Sequence, residues 1–230
     1  MTLPLLHRRP RVARTVVNDP DDHTTMDADG AVRSVQAADL ILPVEEAEAL
    51  WSPRQLENLA RTYWRFLSRV TLGLIRVKYT ERERFVCLLF RPLVLLRFQA
   101  PEYEMNAHRG IVRWRIDRGV LVSKRGRGGN GFLEIDVQRC ASDEPGLGRI
   151  HIEVEVANFY PAIASRLGRW IYTNTQSRIH VLVTHGFLRS LARLDLAQSR
   201  VGRFSRVEEL PDPGQRPTPI QRAERDRAAV

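Results

Sequence analysis

The stretch RIHIEVEVANFYP at residues 149–161, followed by AIASRLGRWIYTNTQSRIHVLVTHGFLRSLARL at residues 162–194, decides the fold of this chain. The first part alternates apolar and polar residues with a period of two, which is typical of a β-strand with one buried face. The second part carries apolar residues at helical spacing over about 30 residues. A strand that leads into one long helix late in the chain predicts an α+β fold.

The segments before residue 149 predict an antiparallel meander that ends in this strand. Its last strands are predicted at 110–116, 120–123, 132–138 and 149–157, and the short connections between them favour antiparallel pairing. The segment VLV at 120–122 is apolar on both faces and is therefore predicted to be a central strand. Earlier strands are predicted at 73–79, 84–90, 93–98 and 102–107.

An amphipathic helix is predicted before the meander, from Ser52-Pro53-Arg54-Gln55 to about Arg69. Its apolar residues recur at i, i+3, i+4 and i+7, which indicates a helix packed on a core. A basic amphipathic helix that lies on a membrane surface is the alternative. The run before this helix is ambiguous between a short strand at 40–42 and a helical turn after Pro43.

Composition divides the chain of 230 residues into three parts. Residues 1–30 are polar, acidic and without periodicity, so we expect them to be disordered. Residues 31–196 are expected to form a single α+β domain, and residues 197–230 a disordered tail rich in Pro and Arg. No apolar run approaches the roughly 20 residues that span a bilayer, and the N-terminus does not resemble a secretory signal. A cytoplasmic protein with two reduced thiols, Cys87 and Cys140, is expected.

The formal net charge is +9, and 34 of the 36 basic residues are arginine. Residues 31–196 carry +8 of this charge. We expect a solvated, arginine-rich surface, with docking on nucleic acid or an acidic membrane as the less favoured alternative. The loop KRGRGGNG at 124–131 lacks the glycine spacing of a phosphate loop and does not lead into a helix, so it is interpreted as a flexible hairpin turn.

Polar residues interrupt the apolar face of the long helix. At 100° per residue, Asn174, Arg178 and His185 fall within the same arc of about 80° as the apolar residues expected to face the sheet. They either bond to strand residues as part of the core or line a ligand cavity, unless the helix is rotated or bent. Trp114 and Trp170 supply apolar walls for such a cavity. These five residues are the candidate ligand-binding residues.

The sequence predicts no catalytic residue, no metal site and no cofactor. His185 is a candidate acid or base, but no partner fixes that role. The helical histidines are five residues apart and so do not share a helix face, and neither CxxC nor HExxH is present. Four carboxylates, Glu134, Asp136, Glu153 and Glu155, are expected on one charged sheet face. A solvated face of salt bridges, with Arg113, Arg115 and Lys124 as possible partners, is the favoured interpretation, and a paired acid/base site is the alternative.

The element order over about residues 53–195 resembles the helix-grip layout of the START and polyketide-cyclase-like (SRPBCC) superfamily. The resemblance rests on an early helix, on the meander that ends in RIHIEVEVANFYP, and on the helix that follows it. Such proteins usually open with a strand, which here would have to be residues 39–42. The resemblance implies an antiparallel sheet that encloses a pocket for lipids, polyketides or other apolar molecules against the C-terminal helix.

We therefore expect a protein that binds a small apolar or amphipathic ligand between the sheet and the C-terminal helix. A binder of anionic surfaces and a cyclase- or hydrolase-like enzyme using the same cavity remain as alternatives. Nothing in the sequence indicates the oligomeric state.

Overall fold

A computed structural model describes residues 14–17, 24–80, 83–88, 93–161, 177–193 and 207–208. The strands in these residues are β1 Arg14–Val17, β2 Thr24–Met26, β3 Val32–Pro43, β4 Ile75–Tyr79, β5 Glu83–Leu88, β6 Leu93–Gln99, β7 Glu102–Met105, β8 Arg109–Arg118, β9 Phe132–Cys140, β10 Leu147–Phe159 and β11 Val207–Glu208. The α-helices are α1 Val44–Leu50, α2 Pro53–Val70 and α3 Ser177–Ser190.

The strands form one sheet with the order β1-β3-β10-β9-β8-β6-β5-β4. Every pairing along this path is antiparallel. Strands β6 and β7 pair with successive parts of β8, because Pro101 lies between them and has no backbone N–H for the ladder. The predicted α+β class, an antiparallel sheet with helices packed against it, is confirmed.

Helix α2 begins and ends close to the predicted bounds. Its first turn is capped by Ser52, whose hydroxyl oxygen accepts a hydrogen bond from the Gln55 N–H at 3.4 Å. The apolar residues Leu56, Leu59 and Tyr63 are buried in the core. The apolar side of the helix is thus covered by protein, so the alternative of a helix lying flat on a membrane is wrong.

The predicted central strand at 120–123 is wrong. Gly119 reverses the chain with a φ of +153°, and the N–H groups of Val120 and Leu121 then donate to the carbonyls of Val94 and Leu95, both at 3.1 Å. Val122 is buried and forms an isolated bridge. The segment therefore folds over the start of β6, and it does not separate β8 from β9, which pair directly.

Helix α3 lies near the β1–β3 side of the sheet and contacts α2, β1 and β3. Its buried residues include Val183, Thr184, Phe187 and Leu188, while His185 is only half-buried. The buried arc is therefore displaced from the one predicted, because the second apolar side of the helix faces the core. The predicted helix residues before Ser177 lie outside the described residues.

Gly186 allows the close approach of α3 to α2. A Cβ atom built on this residue would lie 2.9 Å from Cζ of Phe66. A glycine at this position therefore lets the two helices pack closely.

Strands β1 and β2 fall within residues 1–30, and both pair with β3. Beyond residue 196 the structure describes only β11. The division of the chain into a domain with two disordered ends stays a prediction.

An aromatic cluster joins α2, the sheet and α3. The ring of Trp64 lies 5.2 Å from Trp114, 5.3 Å from Phe98 and 5.3 Å from Tyr63, and Tyr63 lies 5.2 Å from Phe187. Three of these four contacts are edge-on, a geometry that favours aromatic packing beyond simple burial. This cluster fixes α2 over the sheet, and both candidate pockets lie beneath that helix.

Candidate functional site: two pockets under α2

An apolar pocket of about 50 Å³ lies between the first turns of α2 and the sheet. Its deep wall consists of buried aliphatic residues from α2, β3, β9 and β10: Leu40, Leu56, Leu59, Val137, Ile150 and Ile152. Strand register places these sheet residues side by side, since Ile150 is opposite Leu40 and Ile152 is opposite Val137. Leu191, just after α3, completes the wall. The inward positions of three strands therefore make this pocket.

The mouth of the apolar pocket is formed by the half-buried residues Leu50, Trp51, Ser52, Gln55 and Met105. The indole of Trp51 is held in place, because its Nε1–H donates to the carbonyl of Asn106 at 3.0 Å. The guanidinium of Arg139 lies over the indole ring, 5.1 Å from its centroid. A fixed aromatic ring beside two polar side chains makes the mouth amphipathic.

A second, polar pocket of about 20 Å³ lies further along α2. It is lined by Glu57, Ala60, Arg61 and Trp64 from α2 and by Tyr79, Arg84, Tyr103 and Trp114 from four strands. Arg84 is 6% exposed, and its Nη1 donates to the carbonyls of Thr80 at 2.6 Å and Glu83 at 3.0 Å. A volume of this size holds about one water molecule or one ligand oxygen.

Hydrogen-bond donors predominate in the polar pocket. Burial raises the pKa of Tyr103, and the neighbouring Glu57 raises it further, so the phenol stays protonated at neutral pH. Burial likewise raises the pKa of Tyr79 and lowers that of Arg84. The indole Nε1 of Trp64 is buried and has no hydrogen-bond partner in the described part of the chain. Such a lining suits an acceptor oxygen.

The opposite face of the sheet carries the four predicted carboxylates, and the register makes them direct neighbours. Glu134 lies opposite Glu155, and Asp136 lies opposite Glu153. Three of them have an arginine partner: Arg113 Nε lies 2.5 Å from Glu134, Arg109 Nε 2.9 Å from Asp136, and Arg33 Nε 2.7 Å from Glu155. Ion pairing is thus confirmed for these three residues, but the carboxylates are buried rather than solvated, and only Arg113 is one of the expected partners.

Glu153 differs from its neighbours, since no ion pair within the described ranges reaches it. Burial raises the pKa of Glu153, and the charges of Glu155 and Asp136 raise it further. Burial also raises the pKa of Glu134, against the opposing effect of Arg113. Arg33, Arg109 and Arg113 neutralise carboxylates, so these three arginines do not form an anion-binding surface.

The predicted ligand-binding residues are distributed as follows. Trp114 is 1% exposed and lines the polar pocket from the aromatic cluster. His185 lies half-buried on α3 and lines neither pocket. Arg178 lies in the first turn of α3. Trp170 and Asn174 lie outside the described residues. The five residues as a binding set therefore stay a prediction.

Sequence reasoning missed both pockets under α2. The apolar wall residues had been interpreted only as strand and helix core, because the sequence does not show where two packed faces leave space. One signal was available for the polar pocket: Glu57, Arg61 and Arg84 are charges on or beside inward-facing positions. Buried charges of this kind require partners and mark places where packing is not purely apolar.

Three further findings concern the described residues alone. Both cysteines are free, with Cys87 buried and Cys140 half-buried. No cluster of His, Cys, Asp and Glu in this part of the chain is arranged to hold a metal ion. None of the helices in this part of the chain is long and apolar enough to cross a bilayer.

No protein-family model matches the sequence, and no curated protein matches it. Solved structures are similar at low scores. Protein Ms6760 from Mycobacterium smegmatis is 12% identical, with a TM-score of 0.33 over 76% of this chain and 96% of its own. Human STARD10 is 10% identical, with a TM-score of 0.30 over 75% of this chain and 72% of its own. Norcoclaurine synthase from Thalictrum is 10% identical, with a TM-score of 0.28 over 71% of this chain and 96% of its own.

Similarities of this size carry no functional argument, so the fold class rests on the described strands and helices. Strand β3, helices α1 and α2, the strands β4 to β10 and then helix α3 follow one another along the chain. The described residues therefore have the element order on which the helix-grip resemblance rests.

Proposed function

We propose that the protein binds a small apolar or amphipathic ligand whose apolar end occupies the apolar pocket. The observation that carries the proposal is the pocket itself, an aliphatic cavity of about 50 Å³ that reaches the amphipathic mouth at Trp51. Ligand sites are typically apolar concavities with a few fixed polar groups. The polar lining of the pocket consists of Ser52 and Gln55.

The size of the pocket limits the ligand. By the space that one water requires, 50 Å³ corresponds to about four water positions. This is room for a short alkyl group or one end of a longer apolar chain. A polar group of the same ligand would remain at the mouth, beside Ser52, Gln55 and the indole of Trp51.

The proposal is tested by titrating the full chain with the neutral fluorescent probe N-phenyl-1-naphthylamine. We expect saturable binding that medium-chain fatty acids displace. In Met105→Trp the larger ring fills the mouth and pocket, so the affinity for the probe should fall by at least about tenfold. Native mass spectrometry of the purified chain should also reveal any ligand that copurifies with it.

The matched control is Val120→Trp, which adds the same ring at a position that is 51% exposed and lines neither pocket. Circular dichroism checks that each variant folds, and Leu59→Phe replaces Met105→Trp if the latter does not. Equal probe affinity in the pocket variant and in the control would contradict the proposal.

A further inference from the structure

The turn between α2 and β4 carries three exposed aliphatic side chains within five residues. Val70 is 38% exposed, Leu72 is 90% exposed and Leu74 is 45% exposed. We call these three residues the apolar tip. The other large exposed apolar residues of the described chain are scattered over several elements. Isolated apolar residues on a surface are ordinary, whereas a cluster on one protruding turn indicates an interaction site.

Neither the backbone geometry nor burial in the core accounts for a leucine at position 72. The N–H of Gly73 donates to the carbonyl of Ser68 at 2.8 Å, and the N–H of Leu72 donates to that of Arg69 at 3.1 Å. This is the Schellman pattern of a helix end, in which the left-handed position is usually glycine. Here that position holds Leu72, with a φ of +52°. A leucine at this position is unfavourable for the backbone and buries almost nothing.

The apolar tip is flanked by positive charge on both of the elements that it joins. Arg65 and Arg69 lie on α2, Arg76 and Lys78 lie on β4, and all four are exposed. No acidic residue occurs between positions 61 and 79. Among the described residues no carboxylate forms an ion pair with any of the four. By contrast, Arg33, Arg109 and Arg113 on the outer face of the sheet are paired with carboxylates.

We propose that the apolar tip inserts into the surface of an anionic lipid bilayer, with the four flanking cations on the lipid phosphates. Aliphatic side chains at the boundary between headgroups and acyl chains, combined with a rim of Arg and Lys, match both components of such a surface. Nucleic acid fits less well, because bases are bound by aromatic stacking and hydrogen bonds rather than by exposed leucines. The docking is independent of ligand binding in the apolar pocket.

The experiment is flotation of the full chain with vesicles of phosphatidylcholine alone or of phosphatidylcholine mixed with phosphatidylserine. We expect binding to the mixed vesicles only, and weaker binding as the salt concentration rises. The decisive variant is Leu72→Gly, which gives the left-handed position its preferred residue. It should leave thermal stability unchanged or improved, while the vesicle affinity falls by about tenfold or more.

The charge variant Arg76→Gln/Lys78→Gln should weaken vesicle binding by about 25-fold, since each cation near the surface contributes about fivefold. The matched charge control is Lys124→Gln/Arg127→Gln, in the loop between β8 and β9, which makes the same change in net charge. The apolar control is Met26→Ser, which removes a side chain that is 56% exposed on β2. Both controls should bind the vesicles as the unmodified chain does.

Three results would overturn the proposal. The first is that Leu72→Gly binds mixed vesicles as well as the unmodified chain does. The second is that the charge control loses as much affinity as the charge variant, which would indicate attraction through net charge alone. The third is that the unmodified chain binds duplex DNA or a second copy of itself and does not bind the vesicles, and that Leu72→Gly or the charge variant abolishes this binding.

Discussion

Replacing Glu153 with glutamine should stabilise the protein at neutral pH. The carboxylate lies directly opposite Asp136 on β9 and two residues before Glu155 on its own strand, and all three point to the outer face. Asp136 and Glu155 each have an arginine partner, whereas in the described part of the chain no ion pair reaches Glu153. Glutamine keeps the shape of the side chain and removes its charge.

The magnitude follows from the geometry of the face. A pair of like charges directly opposite each other on neighbouring strands costs about 0.2–1 kcal/mol. Glu153 has one such neighbour and a second one along the strand, and it is partly exposed, which screens both. We therefore expect Glu153→Gln to raise the free energy of unfolding by about 0.5–1 kcal/mol at pH 7. This corresponds to about 1–4 °C in Tm for a chain of this size.

The effect must depend on pH with a definite sign. Burial and the neighbouring carboxylates raise the pKa of Glu153 above its ordinary value in the folded state, so the folded protein holds this proton more tightly than the unfolded chain does. The contribution of Glu153 to stability is fully present at pH values below its pKa in the unfolded chain. This contribution is lost as the pH rises through its pKa in the folded protein. The advantage of Glu153→Gln should therefore be small at acid pH and grow as the pH rises.

Urea unfolding followed by tryptophan fluorescence at several pH values measures this difference. The control is Glu144→Gln, an exposed carboxylate paired with Arg14, which should change the free energy of unfolding by less than about 0.5 kcal/mol. If Glu153→Gln is less stable than the unmodified chain at pH 7, or if the difference does not vary with pH, the reasoning fails.

Two further substitutions test other parts of the structure by the same unfolding measurement. Arg113→Ala should destabilise the protein by about 3 kcal/mol at pH 7, because Glu134 loses its partner and its side chain is only 4% exposed. Low pH should restore part of this stability by protonating the Glu134 carboxylate. Gly119→Ala should also cost about 3 kcal/mol or more, because the added Cβ would lie 2.2 Å from the carbonyl oxygen of Leu95 at a φ of +153°.

Matched controls separate these effects from general disturbance. Arg118→Ala removes an arginine whose side chain is 59% exposed, and it should cost less than about 1 kcal/mol. Gly128→Ala places a methyl group at a φ of +61° with nothing within 4 Å, so only the backbone preference of about 1 kcal/mol is lost. If either control costs as much as its partner substitution, the contact named for that partner is not the cause.

Local patterns in the sequence were sufficient for several elements. Ser52-Pro53 and the apolar repeat predicted a helix from residue 53 to about 69, and α2 is Pro53–Val70. Strict alternation predicted strands at 132–138 and 149–157, and both lie within β9 and β10. Capping and alternation depend on neighbours within a few residues, so the sequence contains them directly.

Strand β3 shows where local patterns fail. Only residues 40–42 were predicted, but the strand runs from Val32 to Pro43. In its first half the inward positions hold Ser34 and Gln36, which are buried, and the Gln36 Nε2 donates to the Ser34 hydroxyl at 2.8 Å. A polar pair on the inner face removes the alternation of hydropathy, and only pairing with β10 and β2 makes this half of the segment a strand.

By itself the sequence determined the fold class, the main strands and helix α2, and the charged character of one sheet face, because these depend on short-range periodicity. The tertiary structure alone decided which side of α3 is buried, which arginine neutralises which carboxylate, and where α2 leaves a cavity above the sheet. Each of these depends on strand register and on the angle at which packed faces meet. Residues far apart in the chain set both, and no local pattern records them.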